Sequence, residues 1–250
     1  MLARYPFRER DLVVSLLTRH GGQVRVLARH ARGARTSLAA TLEPLASIRV
    51  SYFERRGSEL ATLDEASLAR SAFPLATVPA AWAAGQVVAE LALVFFPPGE
   101  RLEAPYRLID RCIGALLGGA PPLAVVAYAE LWLLKLSGVL PELDRCGVCG
   151  EALPHGARTY DAGEGGFVCD RHPRLRAVER IGAEGEAWLR AALRSRIERT
   201  GEPPGDAASW LVGTVQHFTG KEIVSWRYLR RVQGIGKQEE GTGDRRPGTE

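Results

Sequence analysis

Residues with metal-binding side chains form two pairs in the second half of the chain, and each pair encloses two residues. Cys146 and Cys149 make up the first pair, and Cys169 and His172 make up the second. Thiolate and imidazole groups are ligands that Zn²⁺ prefers, and two close pairs commonly supply its tetrahedral site. Because protein side chains would fill all four positions, the spacing predicts a structural zinc ion rather than a catalytic one.

Two alternatives compete with this four-ligand assignment. In the first, no metal binds, His172 is a surface residue and the cysteines are small apolar residues of the core. In the second, His155 is the fourth ligand, although it lies six residues past Cys149 in a flexible segment. The repeated spacing favours His172. The remaining cysteine, Cys112, lies in an apolar helical pattern and is predicted to be buried.

The cellular compartment follows from the same cysteines. The N-terminal segment, residues 1–6, is too short to form a secretion signal, and charged residues begin too early in it. Without such a signal, the grouping of the cysteines indicates metal binding in a reducing compartment rather than two disulfide bonds. We therefore expect a cytoplasmic protein.

Helices are predicted on both sides of the metal-binding pairs. Apolar residues recur with a helical period in five runs, at about 78–95, 103–118, 122–138, 184–199 and 207–218. Glycines and prolines between the pairs allow that segment to fold back as a hairpin. Two of the runs are apolar enough to suggest membrane spans, but they contain Glu90 and Glu130. A charge inside a bilayer is costly, so we expect buried core helices and no membrane partner.

The first third of the chain has the pattern of strands. Apolar and β-branched residues occupy four short segments, at residues 11–18, 23–29, 48–53 and 59–63. Several short antiparallel strands joined by glycine-containing turns predict a small barrel. The pattern changes after residue 64, and residues 65–73 are predicted to form a linking helix that ends at Pro74.

Positive charge is concentrated in this predicted barrel. Residues 1–80 contain twelve arginines and seven acidic residues, whereas residues 81–145 contain five basic and seven acidic residues. Guanidinium groups on flexible loops suit phosphate oxygens, so the pattern predicts a polyanionic partner, with DNA favoured. The loop arginines Arg29, Arg32 and Arg35 are candidate DNA contacts, and this surface could be extended by Arg4, Arg8, Arg10 and Arg25. Phe7, Tyr52 and Phe53 are candidates for base stacking, although aromatic residues of short strands more often belong to the core.

No group of residues in the sequence indicates catalysis. A glycine-rich phosphate loop with lysine, a Gly-x-Ser-x-Gly turn and a His-Glu pair at metal-ligand spacing are all missing. The acidic residues near Asp161 lie in the glycine-rich segment between the metal-binding pairs, where solvent exposure explains them. We therefore expect a binding protein and not an enzyme.

Five segments of the chain occur in a specific order and spacing. They are residues 7–13 (FRERDLV), 22–25 (GQVR), 31–35 (ARGAR), 143–150 (LDRCGVCG) and 224–227 (VSWR). Together they resemble the RecO family of bacterial DNA repair proteins over nearly the whole chain, to about residue 232. Zinc-bearing members of that family usually have cysteine where this chain has His172.

The resemblance implies an α+β protein. An N-terminal OB-fold β-barrel that binds DNA would occupy residues 1–76, and an α-helical domain would occupy residues 77–232. A zinc module would be inserted in the helical domain at residues 144–174. Residues 233–250, which have no periodicity, are predicted to form a disordered tail.

The resemblance also implies a recombination mediator that binds single- and double-stranded DNA and anneals complementary strands. Together with RecR, it would help RecA to replace single-stranded DNA-binding protein, whose acidic tail would bind the helical domain. The basic OB-fold surface of the family maps onto Arg8, Arg10, Arg25, Arg29, Arg32 and Arg35. The protein would work at the nucleoid. From the residues alone, a zinc-stabilised protein–protein adaptor that does not bind DNA remains the alternative.

Overall fold

The computed structural model describes residues 1–32, 37–54, 57, 60–99, 103–172 and 178–234. Within these residues the protein has an α+β fold, as predicted, with a five-stranded sheet first and helices after it. The strands of this sheet are β1 (Ala3–Phe7), β2 (Asp11–Thr18), β3 (Gly22–Ala28), β4 (Ser47–Phe53) and β5 (Ala61–Arg70). A short helix, α1 (Ser37–Thr41), lies between β3 and β4.

The topology of the sheet is like that of an OB-fold. Its strand order is β1-β2-β3-β5-β4, and all neighbours are antiparallel except β3 and β5. A single parallel pair, together with a helix between β3 and β4, suits a partly open Greek-key barrel. Leu12, Val14 and Leu16 of β2 point into the apolar core of this barrel, together with Val26 of β3. The predicted strands at 11–18, 23–29 and 48–53 are confirmed to within one residue at each end.

The two edge strands of the sheet, β1 and β4, are linked by contacts at their ends. The amino group of Met1 donates a hydrogen bond to the carbonyl of Ala46 (2.7 Å), and the backbone N–H of Leu45 donates to Met1 (3.0 Å). The Arg4 guanidinium donates to the carbonyl of Leu42 (3.2 Å). These bonds draw the start of β1 toward the segment that leads into β4, which partly closes the barrel.

The predicted linking helix at residues 65–73 is wrong, because β5 continues to Arg70. A bulge in the ladder pairs Ser51 with Glu65 and Tyr52 with Leu63, so Asp64 is an extra residue. The bulge shifts the alternation by one position, and Leu63 and Ala66 therefore both pack against the barrel core. That three-residue spacing imitates a helical period. The helix that follows, α2 (Phe73–Ala76), is a single turn.

Six longer helices follow α2 in the described part of the chain. They are α3 (Pro79–Phe95), α4 (Glu103–Leu117), α5 (Pro122–Leu136), α6 (Ala183–Arg194), α7 (Gly205–Thr219) and α8 (Ser225–Val232). The run predicted at 184–199 is interrupted after Arg194, and a 3₁₀ turn follows at Ile197–Arg199. The sequence analysis did not predict α8. Of the predicted tail, residues 235–250 lie outside the described residues.

Helices α3 and α5, the two most apolar runs, form the centre of the helical part and pack against each other. None of the described helices is both long enough and apolar enough to span a bilayer. The helical core also includes Leu2, Leu17 and Leu45 from the sheet region, so the two regions share apolar contacts. Gly85 of α3 allows this approach, because a Cβ there would lie 2.4 Å from Cδ1 of Leu45.

Glu90 and Glu130, the acidic residues of the two apolar runs, both hold α8. The carboxylate of Glu90 accepts hydrogen bonds from the backbone N–H (2.8 Å) and the hydroxyl (2.6 Å) of Ser225, at the start of α8. Glu130 accepts a hydrogen bond from the indole N–H of Trp226 (2.7 Å). Burial raises the pKa of Glu130 to about 8, although Trp226 and the charge of Arg230 act in the opposite direction.

The raised pKa of Glu130 makes folding stability depend on pH. The folded protein holds this proton more tightly than the unfolded chain, in which the pKa of glutamate is about 4.3. The protonated carboxyl of Glu130 therefore adds its full contribution to the free energy of unfolding below about pH 4.3, and this contribution is lost as the pH rises through about 8. Glu130→Gln keeps an acceptor for Trp226 and cannot ionise. We expect its free energy of unfolding to rise relative to wild type by on the order of 3 kcal/mol between about pH 5 and pH 8.

Urea unfolding of both proteins across that pH range measures this difference, and histidine titrations cancel because both proteins share them. Glu142→Gln is the matched control, because Glu142 is exposed. Its stability should run parallel to that of wild type. A parallel curve for Glu130→Gln would contradict a protonated carboxyl at this position.

Candidate metal centre and basic surface

The first predicted ligand pair lies in a tight turn. The backbone N–H of Gly150 donates to the carbonyl of Cys146 (2.8 Å), and Gly150 has a φ of 71°, which favours glycine. The backbone N–H of Cys146 donates to the carbonyl of Glu151 (2.9 Å), so the chain reverses directly after Cys149. This reversal brings the two sulfur atoms of the pair into one cluster.

The second pair follows a strand of a small sheet. This sheet has the order β7-β6-β8 and consists of β6 (Arg158–Asp161), β7 (Gly166–Val168) and β8 (Val178–Ile181). Strands β6 and β7 form the hairpin that the sequence predicted between the pairs, and Cys169 follows β7 directly. The backbone N–H of Gly147 donates to the carbonyl of Phe167 (2.8 Å). A Cβ on Gly166 would lie 3.3 Å from the Cα of Gly147, so two glycines allow the turn to rest against β7.

The structure brings the four predicted ligands together, with all their ligand atoms within 4.8 Å of one another. Sγ of Cys146 and Sγ of Cys169 lie 3.5 Å and 3.1 Å from Nδ1 of His172. Sγ of Cys149 lies 4.0 Å from Sγ of Cys169. Around a tetrahedral ion with metal–sulfur bonds of about 2.3 Å, ligand atoms are separated by roughly 3.8 Å. The four residues therefore lie close enough together to bind one metal ion, and their arrangement is compatible with tetrahedral zinc.

The surroundings of Cys146 favour its thiolate form. Burial alone would raise the pKa of this thiol, but the backbone N–H groups of Cys149, Cys169 and Val148 outweigh burial and lower the pKa to about 6. The N–H of Cys169 lies 3.4 Å from the sulfur. Because metals bind thiolates, these backbone groups prepare Cys146 to act as a ligand.

The geometry bears on the alternative in which His155 is the fourth ligand. His155 lies apart from the cluster, and its Nδ1 is 3.5 Å from a carboxylate oxygen of Glu186. Among the described residues, His172 is therefore the histidine that can act as fourth ligand.

Cys112 is buried in the helical core, as predicted, and burial raises the pKa of its thiol to about 12. That thiol is not ionised near neutral pH and is inert.

A buried ion cluster attaches the metal-binding module to α6. The side chains of Glu186 and Arg158 are only 4% and 3% exposed, and they lie 3.2 Å apart. Arg190, one turn along α6, contacts the same carboxylate and also binds Asp144 (2.6 Å). The sequence analysis missed this cluster, because its members lie far apart in the chain and Glu186 resembles an ordinary surface charge.

Arginines of the N-terminal region meet at one end of the sheet. The backbone N–H of Arg32 donates to the carbonyl of Arg10 (3.0 Å), and the guanidinium of Arg32 donates to the carbonyl of Arg8 (3.1 Å). These bonds join the β1–β2 turn to the segment after β3, where Arg29 lies. Arg8, Arg10, Arg29 and Arg32 are all exposed, and we call this group the basic end.

Two residues of the joined loops have a left-handed backbone. Arg8 and His30 both have a φ of 54°, which costs roughly 1–2 kcal/mol for a residue with a Cβ. The carboxylate of Asp11 holds one of them by accepting a hydrogen bond from the N–H of His30 (2.9 Å). Strained backbone that is retained by its surroundings is frequent at functional loops.

The other predicted DNA contacts lie elsewhere. Arg25 is exposed in the middle of β3, and Arg35 lies outside the described residues. Tyr52 packs against the barrel core, as expected. The expectation that Phe7 and Phe53 are core residues is wrong, because they are 37% and 63% exposed. The analysis also missed exposed Tyr5, whose two-residue spacing from Phe7 was the available signal.

Comparisons with known proteins show the family of the chain. The family model described as Recombination protein O N terminal matches residues 1–72, and Recombination protein O C terminal matches residues 77–211. DNA repair protein RecO of Koribacter versatilis is 32% identical over 239 residues, which cover 93% of this chain and 96% of that protein. RecO of Anaeromyxobacter sp. (strain K) is 30% identical and covers 93% and 94%, and RecO of Streptomyces coelicolor is 32% identical and covers 89% and 93%. The chain belongs to the RecO family of DNA repair proteins.

Proposed function

We propose that this protein binds single- and double-stranded DNA through the basic surface of an OB-fold barrel. The observation that carries the proposal is the pair of hydrogen bonds from Arg32, which join two loops and gather the exposed arginines of the basic end. A guanidinium group offers a planar fork of donors that matches phosphate oxygens. Arg25 and Arg35 would extend the surface along the barrel.

Family membership supports the wider role of a recombination mediator. In this role the protein anneals complementary strands and, with RecR, helps RecA to replace single-stranded DNA-binding protein at the nucleoid. The helical domain would bind the tail of that protein. The chemistry required is binding and positioning, for which the arginines suffice, and the proposal includes no catalytic residue.

The metal-binding cluster has a separate task in this proposal. Cys146, Cys149, Cys169 and His172 would hold one Zn²⁺ ion, which supplies cross-links between the turn and the small sheet. Four protein ligands leave no coordination position for water, so the ion is structural. The domain divisions proposed from the sequence place this module, residues 144–174, within the helical domain and apart from the DNA surface.

The salt dependence of DNA binding tests the basic end. In Arg10→Glu/Arg29→Glu, two phosphate contacts are lost. The slope of log affinity against log salt concentration should therefore become less steep by about 1.4 for a single strand. Affinity should fall on the order of tenfold or more at low salt. Arg194→Glu/Arg196→Glu changes the net charge equally at exposed positions of the helical part and is the matched control.

The control should retain the wild-type slope. Equal effects of the two double variants would mean that net charge matters and that the basic end does not. An unchanged slope for the barrel variant, with tight binding to a protein partner, would favour the adaptor alternative. Strand annealing with and without single-stranded DNA-binding protein then measures the mediator role, and failure to anneal would contradict it.

A further inference from the structure

The outer face of the barrel presents an apolar strip beside the basic end. Tyr5 and Phe7 lie two residues apart on β1 and therefore on the same face. The strand register pairs Tyr5 with Val13 of β2 and pairs Val13 with Leu27 of β3, and directly paired residues share a face. We call these residues, Tyr5, Phe7, Val13 and Leu27, the aromatic strip.

This strip points away from the barrel core. The adjacent residues of the same strands, such as Leu12, Val14 and Val26, form the core, so the strip must occupy the opposite face. None of its four residues belongs to either apolar core of the described chain. Tyr5 is 47% exposed and Phe7 is 37% exposed, whereas Val13 is buried and Leu27 is half-buried. Two accessible rings, those of Tyr5 and Phe7, therefore share this face with the apolar side chains of Val13 and Leu27.

Arginines border the aromatic strip on two sides. The Arg8 guanidinium lies over the Phe7 ring, 5.3 Å from its centroid. Arg25 lies two residues before Leu27 on β3, so it shares the outer face and is exposed there. A ligand on this face would therefore contact both aromatic rings and positive charges. Single-stranded nucleic acid has the matching groups, because its unpaired bases can stack on the rings and its phosphates can pair with the arginines.

We infer that the aromatic strip binds the unpaired bases of single-stranded nucleic acid, with Tyr5 and Phe7 as stacking platforms and Arg8 and Arg25 holding the adjacent phosphates. This inference rests on the proposed DNA binding and predicts a preference for single strands over a duplex. Every base has a flat π face, so stacking tolerates any sequence. Bases inside a duplex are already stacked and cannot reach the rings.

Binding of three probes to the full chain tests the inference. The probes are a single strand of mixed sequence, a strand of equal length in which abasic sites replace the bases, and the corresponding duplex. Wild type should bind the normal strand on the order of 30-fold more tightly than the abasic strand, because two rings lose their partners. Tyr5→Ala/Phe7→Ala should lose that advantage and should keep its duplex affinity and salt slope.

Tyr228→Ala/Phe73→Ala is the matched control, because it removes the same two side chains from exposed positions of the helices. It should behave as wild type, and Tyr5→Trp/Phe7→Trp should retain the preference for bases. Equal affinity of wild type for the normal and abasic strands would overturn the inference, even if the alanine variant failed to fold. Equal single-strand affinity of wild type and a folded alanine variant would also overturn it. If wild type bound none of the probes, the proposed DNA binding itself would fail.

Discussion

Replacing Cys146 with serine is expected to abolish stoichiometric zinc binding and to lower the free energy of unfolding by about 4 kcal/mol. A ligand present at roughly 1,000 times its dissociation constant contributes about that much when it binds only the folded state. Serine is a poor ligand for zinc, and three ligands would remain. Metal content after dialysis and thermal unfolding with and without a chelator measure both effects. The chelator should lower the melting temperature of wild type and leave that of Cys146→Ser nearly unchanged.

Cys112→Ser is the matched control for this prediction, because Cys112 is buried in the helical core and lies outside the ligand cluster. It should retain one zinc ion per chain and remain sensitive to the chelator. DNA binding through the basic end should survive in Cys146→Ser, since different elements carry the two sites. If DNA binding disappeared while the helices remained folded, the metal-binding module would be part of the DNA surface. A wild-type protein without zinc and without a response to chelator would contradict the metal assignment itself.

The metal-binding cluster could be predicted from the sequence because its determinants are local. Two pairs with the same spacing, a glycine after the first pair and glycines between the pairs specify a turn and a hairpin. The structure then needs only the contact between Gly147 and β7 to bring the pairs together. Strands β2, β3 and β4 were predictable for the same reason, since alternation is a property of neighbouring residues.

Features that depend on distant parts of the chain could not be predicted in this way. The bulge at Asp64 is set by pairing with β4, and it gave β5 the apolar spacing of a helix. Helix α8 is short, and its docking depends on Glu90 and Glu130, more than ninety residues earlier in the chain. The sequence placed twelve arginines and an excess of positive charge in the first third of the chain. Only the hydrogen bonds of Arg32 show which of them share a surface.

The buried cluster around Glu186 predicts a second large effect. Glu186→Ala is expected to lower the free energy of unfolding by about 3–5 kcal/mol, because it leaves the buried guanidinium of Arg158 without its carboxylate. The melting temperature should fall by on the order of 10 °C. Glu184→Ala, in the first turn of the same helix, removes an exposed carboxylate and should change stability by less than about 0.5 kcal/mol. Equal effects of the two variants would contradict a structural role for the cluster.

The double variant Arg158→Leu/Glu186→Leu separates loss of the ion pair from loss of packing. Removing both charges leaves no guanidinium without a carboxylate, because Arg190 loses Glu186 but keeps its contact with Asp144, so stability should return toward that of wild type. Burial alone would raise the pKa of Glu186, but hydrogen bonds from Arg190 and His155 and the nearby charges lower it below its ordinary value. The stabilisation is therefore complete above the pKa of glutamate in the unfolded chain and is lost as the pH falls through the lower folded value. Wild type should lose this advantage over Glu186→Ala in acid, whereas the double variant should show no such loss. The stabilisation that depends on Glu130 is instead lost as the pH rises. Together, the two carboxyl groups should therefore make the free energy of unfolding greatest at a pH between the folded-state pKa values of Glu186 and Glu130.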